Sequence, residues 1–176
     1  MENMQEIIVK KVSVYKTKIE DHLLQTIKDF IDKNKINFTA ESWECKNKTS
    51  IKHYSNILYQ VQEFKYIRKN IEKKIEEVLN LAHGVDKQFV IFESWLNFYE
   101  EGGYQEFHNH PKGGSGVLYL SSNNSAIEFA VFPEDIRKKI IPEKLDLLLF
   151  EGNTFHRVLD SKNNNRMSLA FNFLNK

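Results

Sequence analysis

The sequence is short of the residues that mark several protein classes. It has one cysteine, Cys45, in 176 residues. A single thiol forms no internal disulfide, so a disulfide-stapled scaffold is excluded and a reducing, cytoplasmic compartment is expected. Proline occurs 3 times and glycine 7 times, which excludes collagen-like and Pro/Gly-rich low-complexity chains. Charge of one sign is also lacking: 25 Lys and Arg stand against 24 Asp and Glu, a formal net charge of +1. Without a global basic field, nucleic-acid binding through bulk charge is not expected, although a local patch stays open. No run of about 18 apolar residues occurs, which argues against a membrane span. The first residues, MENMQEIIVKKVSVY, hold no basic stretch followed by an apolar block, so no secretory signal is expected.

What remains has ordinary globular proportions, 41% hydrophobic and 28% charged. At about 100–200 residues per domain, the length fits a single domain over 1–176. Two parts differ in character. Residues 1–87 mix strand and helix and are expected to act as support. Residues 7–15, IIVKKVSVY, are β-branched and read as one strand. Residues 19–33 place Leu23, Ile27, Phe30 and Ile31 on one helical face. Residues 38–61, with Trp43, Tyr54, Ile57, Leu58, Tyr59 and Val61, read as one or two short strands around the polar loop 46–50. The clearest helix is 63–82, where Ile67, Ile71, Ile75, Val78 and Leu79 repeat at helical spacing and Gly84 supplies the stop. Its charged opposite face is read as a solvated surface.

After Gly84 the pattern turns to β. Segments 88–99, 104–108, 116–121, 126–132, 145–150, 154–159 and 166–174 read as strands separated by polar loops. Many short strands argue for a sandwich or barrel, with the earlier helices covering one face.

The scarce residues are not spread evenly. Five of the seven glycines lie between Gly102 and Gly116, around His108-Asn109-His110. An HxH on a strand sets both imidazoles on one face, because side chains alternate with period two. If the chain turns between them, the rings can still converge. His156 opens a later strand, and two near ligands plus one distant ligand suit iron, copper, nickel or zinc. His22, His53 and His83 lack such a context. Only four arginines stand against twenty-one lysines, and Arg166 heads an otherwise apolar strand in phase with Ser168. A guanidinium clamps a carboxylate through two parallel bonds, and a hydroxyl facing the same way adds another. The plain alternative is a strand-end arginine held in solvent or by a surface salt bridge.

The run from Tyr99 through Gly102-Gly103-Tyr104 to His108-Asn109-His110-Pro111 resembles the metal-binding segment of the 2-oxoglutarate and iron(II)-dependent oxygenases. It is closest to their prolyl-4-hydroxylase-like branch and to related phage and marine bacterial oxygenases. Segment 116–121, ending in Tyr119-Leu120-Ser121, resembles their next strand. Segment 146–150, His156 and Arg166-Met167-Ser168 resemble their distal half. The resemblance covers about residues 88–174. It implies a mainly β chain with N-terminal helices, in which a double-stranded β-helix (a cupin-like jelly roll) packs against those helices. It implies Fe(II), 2-oxoglutarate as co-substrate and O2 as oxidant, with hydroxylation of a substrate and release of succinate and CO2. His108 and His156 match the two histidine ligands. Arg166 matches the partner of the distal 2-oxoglutarate carboxylate, with Tyr119, Ser168 and Tyr99 beside it.

His110 departs from the family pattern, which commonly places Asp or Glu there. It is the favoured third ligand. The other two outcomes are a ring turned away, leaving an open or halide position, and replacement by a nearby carboxylate, Glu106 or Glu128. A neutral ligand leaves the site one unit more positive. Asn97 and Asn172 are candidates to orient the histidines. A three-histidine cupin-type enzyme that does not use 2-oxoglutarate is the nearest competing reading, but Gly114 and Ser115 stand where its glutamate is expected. A jelly-roll binding module without activity is the third. The expected partner is a small molecule or peptide of unspecified identity, with loop 112–115 and segment 132–141 as selectivity elements. The sequence does not specify the oligomeric state.

Overall fold

A computed structural model of the chain describes residues 4–9, 12–34, 39–40, 45–110, 112–122, 124–162 and 166–176. In chain order its elements are β1 (Gln5–Val9), β2 (Val12–Lys18), α1 (His22–Asn34), β3 (Thr39–Ala40), β4 (Lys48–Thr49), α2 (Ile57–Gln60) and α3 (Lys65–His83). The β-rich part follows with β5 (Phe89–Tyr99), β6 (Gln105–His108), β7 (Gly114–Tyr119), β8 (Ile127–Val131), β9 (Ile136–Ile140), β10 (Asp146–Glu151), β11 (Phe155–Val158) and β12 (Arg166–Asn175).

The strands form two antiparallel sheets, ordered β1-β2-β10-β7-β12-β5-β4-β3 and β6-β11-β8-β9. This is the double-stranded β-helix that the resemblance implies. Alternation along each strand sorts side chains to the two faces of the larger sheet. Leu118, Leu147, Leu149 and Leu169 point outward and share one buried cluster with Ile27, Phe64 and Ile71 of the helical layer. Val14, Tyr119, Leu148 and Phe150 point inward and meet Ile127 and Phe129 of the smaller sheet. The helices therefore cover one face of the β-structure, as the element order predicts.

Three local expectations are corrected. Residues 7–15 form parts of two strands, β1 and β2, paired with Val9 opposite Val12; residues 10 and 11 lie outside the described residues. Ile57 to Gln60 make a helical turn in place of a strand, closed by the Val61 N–H bonding to the Ile57 carbonyl at 3.1 Å. Trp43 lies outside the described residues. Segment 132–141 holds a whole strand, β9, whose central Arg137, Lys138 and Lys139 hide its period-two pattern. Cations are the usual protection of a sheet edge, and β9 is an edge strand.

A bulge in β5 prepares the cavity. Asn172 lies opposite Glu93 but Phe173 lies opposite Ile91, so Phe92 is the extra residue. Phe89 and Ile91 thereby join the helix-side cluster, while Glu93, Trp95, Asn97 and Tyr99 line the cavity between the sheets. No helix among the described residues is long and apolar enough to cross a membrane.

Candidate active site

A cavity of about 270 Å³ opens between the inner faces of the sheets. His108, His110, His156, Arg166, Ser168, Tyr119 and Tyr99 all line it.

His108 ends β6 and lies opposite His156 of β11 in the antiparallel register. Their ring centroids are 4.2 Å apart. His110 lies beyond the end of β6, so the HxH does not ride on one continuous strand. Its position comes from a backbone bond, His110 N–H to the Gly152 carbonyl at 2.7 Å. A Cβ at position 152 would stand 2.8 Å from the His110 carbonyl oxygen and 2.9 Å from that of Gly113, so this approach requires glycine. The three histidines offer ligand atoms that all lie within 4.8 Å of one another.

The tautomers follow from the partners. His108 Nδ1 lies 2.9 Å from the Glu106 carbonyl and His156 Nδ1 lies 2.9 Å from the Thr154 carbonyl. A carbonyl only accepts, so both rings carry the proton on Nδ1 and keep the Nε2 lone pair free. His110 is held differently. Asn172 Nδ2 lies 3.3 Å from its Nδ1. The same amide donates to Glu93 Oε2 at 2.8 Å and accepts from Ser115 Oγ at 2.8 Å. Burial pushes the His110 pKa down to about 4, with His108 adding to the effect. Burial also lowers His108, against its bond to Glu106, and holds His156 well below its ordinary value. All three rings are therefore neutral near pH 7, the form that gives a lone pair to a cation.

Among the described residues no carboxylate joins the cluster. Glu128 turns to the outer face, where Arg157 Nε and Nη2 each approach it at 2.7 Å. Glu106 is exposed and contributes its backbone carbonyl. Neither replaces His110.

The rest of the wall centres on a buried cation. Arg166 is 2% exposed and lies opposite Tyr99 in register. Its guanidinium carbon is 5.4 Å from the Tyr99 ring centre and 5.6 Å from that of Tyr119. Nη1 donates to the Ser125 carbonyl at 3.1 Å, and no described residue forms an ion pair with it. Ser168, also buried, lies opposite Tyr119. The Tyr119 hydroxyl and Asn47 Oδ1 are buried without a hydrogen-bond partner among the described residues. Burial pushes the Tyr119 pKa up to about 12, against the pull of Arg166. The buried Tyr99 hydroxyl donates to Gln105 Oε1 at 3.1 Å and accepts from Asn47 Nδ2 at 3.3 Å.

Asn47, Gln105 and Glu93 line the cavity and were not anticipated. Gln105 is three residues from His108, a spacing that strict alternation sends to opposite faces. An irregularity in the β6–β11 register, with His108 opposite His156 and Gln105 opposite Val158, turns both inward. Of residues 112–115 only Ser115 lines the cavity, and none of the described residues 132–141 does. Ile51 and Glu93, both exposed, and the half-buried Trp95 line it as well. Asn172 touches His110 as expected for an orienting residue, whereas Asn97 lines the wall.

No protein-family model and no curated protein matches the sequence. Solved structures do match. A prolyl-4-hydroxylase from Pseudomonas putida superposes with a TM-score of 0.68 at 13% identity, covering 96% of this chain and 95% of that one. HygX from Streptomyces hygroscopicus, with nickel, 2-oxoglutarate and hygromycin B bound, gives 0.66 at 8% identity, covering 94% and 83%. The non-heme α-ketoglutarate-dependent epimerase SnoN of nogalamycin biosynthesis gives 0.71 at 7% identity, covering 92% and 76%. At such identities the likeness speaks for architecture: the chain has the double-stranded β-helix fold of the 2-oxoglutarate/Fe(II) oxygenases.

Proposed function

We propose that this chain is an Fe(II)- and 2-oxoglutarate-dependent oxygenase that hydroxylates a small-molecule or peptide substrate and releases succinate and CO2. The observation that carries the reading is Arg166, a 2% exposed guanidinium in the same cavity as three convergent histidines and without an ionic partner among the described residues. A buried charge without a partner is strongly destabilising. A dicarboxylate co-substrate supplies that partner. HygX, whose structure holds nickel and 2-oxoglutarate, has the same fold.

The donor set fits the metal. His108 and His156 present free Nε2 atoms, and His110 takes the position usually given to a carboxylate. Borderline imidazole ligands suit Fe(II). When bound, iron with 2-oxoglutarate supplies the activation of O2. The chain's own part is to bind and orient. Arg166 fixes one carboxylate of the co-substrate, and the Tyr119 hydroxyl and Ser168 add hydrogen bonds to it. Tyr99, tied to Gln105 and Asn47, walls that end. The inward Phe129 and Phe150 keep the floor dry.

The all-histidine cluster favours a second reading, a cupin-type three-histidine metalloenzyme. It leaves Arg166 without a task. Oxygen consumption separates the two. The oxygenase reading expects uptake that depends on both Fe(II) and 2-oxoglutarate, with succinate formed in step. Iron-dependent uptake indifferent to 2-oxoglutarate would favour the cupin-type enzyme.

A further inference from the structure

The cavity wall carries two formally charged side chains, and they stand apart. Arg166 is buried opposite Tyr99, whereas Glu93 is exposed opposite Asn172. Arg166 and Asn172 are six steps apart along β12, roughly 20 Å at about 3.4 Å per residue. The histidine cluster sits toward the Glu93 end, since Asn172 touches both His110 and Glu93.

Glu93 lines the cavity and differs from the buried carboxylates of the β-structure. Glu128 and Asp146 each meet a cation, Arg157 at 2.7 Å and Lys16 at 2.8 Å. Glu93 has none among the described residues. Its Oε2 is pinned by Asn172 at 2.8 Å, so the group is aimed while its charge stays uncompensated. Two residues on, Trp95 faces the same cavity, its ring centre 6.0 Å from that of His110. Ile51, 38% exposed, completes this edge.

We infer that the mouth formed by Glu93, Trp95 and Ile51 selects a substrate carrying a cationic nitrogen, an ammonium or guanidinium, on an aliphatic stem. The carboxylate pairs with the cation, and an indole face attracts a cation lying over it. Ile51 and the indole edge cover the stem. With the charge held beside His110, the carbons a few bonds away lie against the histidine cluster. The inference rests on the proposed function for which atoms react, but not for binding.

The test is calorimetric titration of the full chain, free of metal and 2-oxoglutarate. The probes are N-acetyl-lysine methylamide, its uncharged analogue without the terminal amine, N-acetyl-norleucine methylamide, free lysine and 1,4-diaminobutane. The lysine amide is expected to bind about tenfold more tightly than the norleucine amide, the scale of one charge-assisted contact. The advantage should fall to within about twofold in Glu93→Gln, which keeps an acceptor for Asn172, and weaken in Trp95→Leu, which removes the cation–π face. Urea midpoints of both variants check folding. Tighter binding of the free amines than of the amide marks a metabolite as the source of the cation, and the reverse marks a basic side chain of a peptide. No preference for the charged probe, including no binding of either amide or amine, overturns the inference. So does a preference that survives in Glu93→Gln. Succinate formation is measured separately, so its loss would speak against the oxygenase reading and not against the cation site.

Discussion

His108 and His156 stand opposite each other on β6 and β11, their ring centres 4.2 Å apart, and each gives its Nδ1 proton to the carbonyl two residues before it. Local backbone thus fixes both rings before any metal arrives. His108→Ala or His156→Ala should weaken Co(II) binding, followed by its visible absorption, by more than the about 10–100-fold that losing an outer hydrogen bond costs. Unchanged Co(II) affinity in both variants would remove the metal centre.

Arg166 should matter for the co-substrate and not for the metal. Removing one partner of a buried charge-assisted pair costs about 2–5 kcal/mol. Arg166→Ala is therefore expected to raise the apparent KM for 2-oxoglutarate at least about tenfold while Co(II) affinity holds. Arg166→Lys should recover only part, because an ammonium lacks the two-pronged fork. An unaltered KM in steady-state succinate assays contradicts the assignment.

Acid should destabilise the metal-free protein through the same histidines. His110 is pushed down to about 4 by burial, and in the unfolded chain it returns to about 6.5. Between those values the unfolded chain binds a proton that the folded chain refuses. The stabilisation is complete above about pH 6.5 and is lost as the pH falls toward 4. His108 and His156 are lowered too and act in the same direction. In urea unfolding with chelator present, His110→Asn should flatten the loss across this window. Equal pH slopes for variant and wild type would contradict it.

Gly116 lies between Leu149 and Phe171 in the larger sheet. A Cβ there would run into the Phe171 ring and stand 3.0 Å from Leu149 Cδ2. Gly116→Ala should therefore cost about 1–3 kcal/mol, as overpacking does, and Phe171→Leu in the same chain should return part of it. An unchanged urea midpoint for Gly116→Ala would show that the sheet yields more easily than its packing implies.

Much of this was legible from residue patterns, and the gaps have physical causes. Short apolar runs such as 147–150 read as strands because the sheet buries both of their faces. His108, His156 and Arg166 could be paired because the family resemblance supplies order across a long separation. The period alone could not place His110, which leaves the strand and is held by Gly152, nor Gln105, which a register irregularity turns inward. Glu93 reaches the wall through the bulge at Phe92, a shift that leaves no mark in the alternation. Strand β9 was concealed because an edge strand fills its outward positions with cations. Asn47, in a polar loop, carries no pattern; its role arises only where its chain meets Tyr99.

The most direct test is an anaerobic titration of the protein with Fe(II) and then 2-oxoglutarate, followed by visible absorption. A weak metal-to-ligand charge-transfer band is expected that saturates with 2-oxoglutarate, is absent in His108→Ala, and requires far more 2-oxoglutarate in Arg166→Ala. Absence of the band in wild type, or a band equally strong in both variants, would contradict the oxygenase reading.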